Sequence, residues 1–238
     1  RSEGVARGHH MSVSNPRPVP AATERPAPES ARFIAIEGPI GVGKTSLARR
    51  LAATWQTELL LEGAAENPFL PKYYEDPRRY ALATQLHFLF QRTRELQARN
   101  QADLFTPRLT ADFLFEKDRL FARVALDDDE FALYQEIYQR VVQTLPSPSL
   151  VIYLQASVPT LLKRVARRGI DYEQGIESDY LSRLCNEYVE FFYRYDEAPL
   201  LIVNAEEINL VDNDAHFALL LAEIEQGIVG RRYFNPGV

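Results

Sequence analysis

Residues Gly38-Pro39-Ile40-Gly41-Val42-Gly43-Lys44-Thr45 follow the pattern G-x-x-x-x-G-K-[ST]. This run constrains the fold more than any other stretch of the chain. Its glycines let backbone N–H groups turn inward around phosphate oxygens. Lys44 can reach the β and γ phosphates, and the Thr45 hydroxyl can ligate Mg²⁺. Such a loop needs a strand before it and a helix behind it, so that the helix N-terminus faces the anion. Arg32 to Glu37 is apolar and β-prone, and Thr45 to Ala52 carries apolar residues at helical spacing. Gly38 through Ser46 are therefore the expected ATP-binding segment. A phosphate loop implies nucleotide binding but leaves the reaction open.

Further strands are expected at Leu59–Leu61, Arg108–Asp112, Ser149–Leu154 and Leu200–Val203. Asn67 reads as an N-cap with Pro68 at the first helical position. Other helices are expected over about 78–99, 114–125, 129–145, 158–168, 178–195 and 214–228. Asp127, Asp128 and Asp129 would cap the helix over 129–145. Short apolar strands alternating with helices predict an α/β fold: a parallel five-stranded sheet covered on both faces. Ligands in such folds bind at the carboxyl ends of the strands.

Residues 1–31 read differently. Prolines at 16, 18, 20, 26 and 28 among Ser, Ala and Arg give a stretch that cannot bury enough apolar area to order itself. Residues 1–10, ahead of Met11, read as a cloning remnant. A transit peptide is disfavoured by Glu3, Glu24 and Glu29. The expected folded domain is 32–238. Net charge of −6 and a pI near 5.4 argue against a nucleic-acid partner. One cysteine, Cys185, excludes an internal disulfide and a multi-cysteine metal site. No apolar run approaches the ~20 residues that span a bilayer, so no membrane association and a cytoplasmic setting are expected.

Three carboxylates close strands: Glu37, Glu62 and Asp112. A carboxylate there can serve as a base toward a substrate hydroxyl or hold Mg²⁺. Glu62, Asn67-Pro68-Phe69, Tyr74-Glu75-Asp76-Pro77, Gln85 with Arg92, and Arg164-x-x-x-Arg168-Gly169 followed by Glu173-Gln174 together resemble the deoxynucleoside kinases, most closely the bacterial deoxyguanosine/deoxyadenosine type. The resemblance runs from about residue 32 to 210.

What the resemblance implies can be stated residue by residue. Glu62 matches the base that accepts the 5′-hydroxyl proton. Tyr74 and Glu173 match the pair that binds the sugar 3′-hydroxyl. Gln85 matches the reader of the base edge, and Arg92 lies near base and carboxylate. Gln85 and Arg92 are two helical turns apart and share a face, with Phe88 and Leu89 available as apolar walls. Arg164 and Arg168 match a short lid that closes over the phosphates. Asn204-Ala205-Glu206-Glu207 matches the loop around the donor adenine. A homodimer through the 114–145 region, with 178–195 as a second contact, is implied as well.

Two departures stand out. Where animal-type relatives have Glu-Arg-Ser, this chain has Asp112-Phe113-Leu114, followed by Phe115-Glu116-Lys117-Asp118-Arg119. Asp112 can take the acidic role on Mg²⁺, whereas the arginine is absent; Lys117 or Arg119 could replace its charge. In the lid, Ile170 stands where a further arginine is expected. The reading is an ATP- and Mg²⁺-dependent kinase acting on the 5′-hydroxyl of a deoxynucleoside, purine favoured. The alternatives are a nucleoside monophosphate kinase resembling thymidylate kinase and a nucleotide-binding module without transfer activity.

Overall fold

The computed structural model describes residue 28 and residues 31–100, 108–143, 145–206 and 208–235; the side chain at 100 is excepted. The expectations for residues 1–27, 29 and 30 and for Glu207 lie outside the described residues. Ala31 is already fully buried, and Ala31 N–H donates to the Pro28 carbonyl at 2.9 Å.

All pairings in the sheet are parallel. The strands are β1 (Phe33–Glu37), β2 (Glu58–Leu60), β3 (Leu109–Ala111), β4 (Leu150–Gln155), β5 (Leu200–Asn204) and β6 (Arg231–Phe234), in the order β2-β3-β1-β4-β5-β6. The sheet thus has six strands where five were expected. The extra one, β6, pairs with β5 in register Leu200↔Arg231 through Val203↔Phe234. Its four residues are all charged or aromatic and only Phe234 is buried, so hydrophobic patterning does not announce it. An edge strand covered on one side needs little apolar content.

β1 is central, with Ala35 opposite Ala111 of β3 and Val151 of β4. Ile34, Ala35 and Ile36 are fully buried because helices cover both faces. Burial of a side chain such as Ile34 contributes about 1.5–3 kcal/mol. The helices are α1 (Lys44–Trp55), α2 (Leu70–Glu75), α3 (Pro77–Asn100), α4 (Asp118–Ala125), α5 (Asp128–Val142), α6 (Val158–Arg168), α7 (Ser178–Arg194) and α8 (Asp214–Glu225). Asp127 caps α5 with a reciprocal bond pair to Glu130. Ser157 caps α6, and Gly169, at φ +69°, ends it.

Asn67 does not cap a helix that starts at Pro68. Its Oδ1 accepts from Phe69 N–H at 3.0 Å and closes a local turn, and α2 starts at Leu70 with Pro71 in its first turn. Asn67 Nδ2 donates to the Thr84 carbonyl of α3 at 3.1 Å, which pins α2 against α3. The expected helix over 114–125 is a 3₁₀ turn, Phe115–Lys117, leading into α4. That turn directs Lys117 back under the end of β1.

Candidate active site

The phosphate loop closes β1 and opens α1. Gly38, Gly41 and Gly43 have φ of +149°, +83° and +108°, which L side chains rarely adopt. A Cβ on Gly38 would lie 2.4 Å from the Leu154 carbonyl oxygen. Pro39 and Val42 are buried and Ile40 is half-buried. Lys44 Nζ donates to the carbonyls of Gly38 at 2.7 Å and Pro39 at 3.3 Å, so it lies along the loop's inner edge. Burial, then the nearby Lys117, lowers the Lys44 pKa, while Glu37, Glu62 and Asp112 oppose that shift. Thr45 and Ser46 stand exposed at the start of α1.

Glu62 lies two residues beyond β2. Its carboxylate pairs with Arg92 through Oε1 and with Lys117 through Oε2, the latter at 2.9 Å. Burial alone would raise this carboxyl. The pull of Lys117, Arg92 and Lys44 overrides it and holds Glu62 well below the usual carboxylate range. Glu62 N–H donates to Asp112 Oδ1 at 2.7 Å, and Thr45 Oγ1 donates to Asp112 Oδ2 at 2.5 Å. One carboxylate therefore ties the ends of β2 and β3 to the phosphate loop.

Behind them, fully buried Glu37 accepts from Gly38 N–H, Leu114 N–H and the Tyr188 hydroxyl, each at 2.8 Å, and lies 3.7 Å from Lys117. Glu37 is thus a buried tie between elements, not a solvated strand terminus.

On α3, Gln85, Phe88 and Arg92 are all buried. The Arg92 guanidinium lies 4.7 Å from the Phe88 ring centroid and also pairs with Asp118. Tyr74, on α2, stacks against Tyr172, just before Glu173. Glu173 pairs with Arg168, whereas Arg164 donates to the carbonyls of Val42 at 3.3 Å and Ala205 at 2.7 Å. The two arginines thus have different attachments: Arg164 to the Val42 and Ala205 carbonyls and Arg168 to Glu173. Arg164 also lines a groove of about 400 Å³ with Gly41, Val42, Ile208 and Asn209, beside the phosphate loop.

A sequence model of the deoxynucleoside kinase family matches residues 34–229. The chain belongs to that family. Deoxyguanosine kinase of Bacillus subtilis (strain 168) is 33% identical over 207 residues, covering 84% of this chain and 99% of the relative. Deoxyadenosine kinase of Lactobacillus acidophilus is 32% identical over 206 residues, covering 82% and 95%. Among solved structures, deoxyadenosine kinase from M. mycoides with bound dATP superposes with a TM-score of 0.71. It is 26% identical and covers 81% of this chain and 98% of that one. The same enzyme with products dCMP and dCDP bound gives 0.72. The kinase therefore has the P-loop kinase fold and phosphorylates deoxynucleosides.

The Thr45 hydroxyl and the Asp112 carboxylate are hard oxygen donors 2.5 Å apart at the loop, a pair whose chemistry suits Mg²⁺. No cluster of three or more His, Cys, Asp or Glu suited to a metal occurs among the described residues. No helix among the described residues is long and apolar enough to cross a membrane.

The structure separates Lys117 from Arg119. Lys117 reaches Glu62, whereas the Arg119 guanidinium lies 5.7 Å from the Tyr138 ring centroid. Glu206 lines the groove, yet its carboxylate accepts from Ser157 N–H at 2.6 Å, Ser157 Oγ at 2.8 Å and Thr160 Oγ1, so it caps α6. Those bonds, the Ser157 N–H first, lower its pKa. Sequence reasoning missed Asp118, Gln91 and Arg50. Asp118 orients Arg92, and Gln91 Nε2 donates to the Glu62 carbonyl at 3.3 Å. Arg50 Nη1 donates to the carbonyls of Leu210 and Val211 at 3.0 Å, bracing the groove wall. Spacing offered a signal for Gln91 alone, which adjoins Arg92 on α3.

Proposed function

We propose that this kinase transfers the γ-phosphoryl group of ATP to the 5′-hydroxyl of a deoxynucleoside, with Mg²⁺, and that purine deoxynucleosides are its preferred acceptors. The observation that carries the reading is Glu62. Its carboxylate is held by Lys117 and Arg92 at the end of β2, while its own N–H donates to the carboxylate that also binds Thr45 of the phosphate loop. Acceptor base and phosphate cradle are thus joined through a single side chain. The purine preference draws on relatives named deoxyguanosine and deoxyadenosine kinase and on Gln85, whose amide can both donate and accept at a base edge.

Each side chain then has a physical task. Glu62 orients the 5′-hydroxyl by accepting its hydrogen bond. A carboxylate held so acidic is a weak base, so it takes the proton late, once the new P–O bond has acidified the oxygen. The attacking 5′-oxygen forms the new bond as the bond to the β–γ bridging oxygen breaks, and ADP departs. Lys44, Arg164 and Arg168 stabilise charge on the transferred group. Mg²⁺ on Thr45 and Asp112 would supply further neutralisation of phosphate charge. Tyr74 and Glu173 hold the sugar 3′-hydroxyl, and Phe88 walls the base. Glu206 takes part at the donor side by fixing the α6 N-terminus beneath the groove. The catalytic domain is assigned to residues 32–238, with the fully buried Ala31 packed at its start. The enzyme acts in the cytoplasm as a homodimer.

ADP release measured with each of the four deoxynucleosides, and without any, tests the reading. The expected result is acceptor-dependent release, highest with deoxyguanosine or deoxyadenosine. Glu62→Gln should lower kcat by roughly 10²- to 10⁴-fold while the circular dichroism of the fold persists. Acceptor-independent ADP release, or normal turnover by Glu62→Gln, would refute the assignment.

A further inference from the structure

The segment after α6 does more than carry Glu173. Gly169, at φ +69°, reverses the chain, and residues Asp171–Glu173 form a 3₁₀ turn. Successive bonds from Glu173 N–H to the Ile170 carbonyl (3.0 Å), Gln174 N–H to Asp171 (3.2 Å) and Ile176 N–H to Glu173 (3.0 Å) make the turn stiff. Tyr172 and Glu173 are consecutive on it, so their relative placement is fixed. The Tyr172 ring stacks on Tyr74 with centroids 6.0 Å apart and planes 17° apart. Tyr74 in turn packs against Tyr73 at 5.5 Å with a 60° tilt. Tyr74 and Tyr172 both lie against the apolar cluster that surrounds the acceptor side, built from Phe88, Leu89 and Phe113.

Glu173 has one further attachment. It pairs with Arg168, a lid arginine. The sugar-binding carboxylate therefore hangs between a cation that belongs to the phosphates and a turn that rests on Tyr74.

We infer that Tyr172 is a positioning residue: its ring, stacked on Tyr74, sets the separation between Tyr74 and Glu173 and so tunes recognition of the sugar 3′-hydroxyl. This rests on the proposed deoxynucleoside acceptor. Tyr172 touches the clamp through a ring face, so its aromatic ring carries the effect and its hydroxyl does not. Without the stack, the turn still ends α6 and still carries Glu173 beside Arg168, but it loses its ring contact with Tyr74.

The test compares Tyr172→Ala and Tyr172→Phe with the parent enzyme on a purine 2′-deoxynucleoside and its 2′,3′-dideoxy analogue. Tyr172→Ala is expected to lower kcat/KM for the deoxynucleoside roughly three- to tenfold, mainly through KM, the weight of one aromatic pair. The dideoxy analogue should change less than twofold, so discrimination narrows. Tyr172→Phe should restore the parent values. An equal fall on both acceptors, or a Tyr172→Phe enzyme as impaired as Tyr172→Ala, overturns the inference. If Tyr172→Ala does not fold, Tyr172→Leu, which keeps apolar volume without a ring, replaces it with the same expectations. A parent enzyme that phosphorylates both acceptors equally well overturns the sugar-clamp reading itself, and this inference with it.

Discussion

Of Lys117 and Arg119, Lys117 is the basic residue that the fold sets beside Glu62. It is 1% exposed, bound to Glu62 and near Glu37. A buried ammonium survives only with carboxylates beside it, and here two surround it. Because Lys117 helps hold Glu62 below its ordinary 4.5, Glu62 contributes stability that is present above that pH. The contribution is lost as pH falls through the folded value. Lys117→Met removes the main opposing charge, so Glu62 should rise toward neutral. The acid limb of the kcat/KM–pH profile should shift upward, with kcat at pH 7 reduced roughly tenfold or more. A profile superimposable on that of the parent would show that Lys117 does not set the Glu62 charge state. Sequence reasoning could name Lys117 or Arg119 but not choose between them. Only the 3₁₀ turn at Phe115–Lys117 decides which side chain points under β1.

Among elements, the phosphate loop was legible because its geometry is nearly all backbone: glycines at fixed offsets, a strand before and a helix after. Gly41 illustrates the constraint. At φ +83°, an added Cβ would lie 2.9 Å from Val165 Cγ2 and 3.0 Å from the Leu161 carbonyl of α6. Gly41→Ala should therefore cost about 1–3 kcal/mol of stability and weaken ATP binding, readable as a lower Tm and a raised Kd for ATP. An unchanged Tm and Kd would contradict the contact between loop and lid helix. The two lid arginines were legible by spacing, but their separate attachments were not. Arg164 reaches the Val42 and Ala205 carbonyls, while Arg168 reaches Glu173. Helical spacing reports a shared face; what that face meets depends on loops far off in sequence. Glu206 gives the same lesson, since its carboxylate is consumed by Ser157 and Thr160.

At the scale of the molecule, two apolar clusters divide the work. One packs β1, β4 and β5 with α1, α6, α7 and α8; the other packs β2 and β3 with α2, α3 and α5. The alternation of apolar strands and helices made this architecture readable. β6 was not readable, because its four residues, Arg-Arg-Tyr-Phe, carry no apolar run. It is still structural. Arg231 Nη2 donates to the Phe192 and Tyr193 carbonyls at 2.8 Å, and Phe234 is buried. Ending the chain after Gly230 should strip β5 of its outer partner. Tm should fall by several degrees, at about 2–4 °C per kcal/mol for a domain of this size. A truncated enzyme with parental Tm would make β6 dispensable.

The balance of charge around the acceptor has its own consequence. Arg92 is shared by Glu62 and Asp118, Lys117 by Glu62 and Glu37, and Arg168 is joined to Glu173. Arg92 and Lys117 are each divided between two carboxylates, so the loss of one partner shifts the whole load onto the other: without Asp118, Arg92 is left to Glu62 alone, and without Glu62, Lys117 is left with Glu37.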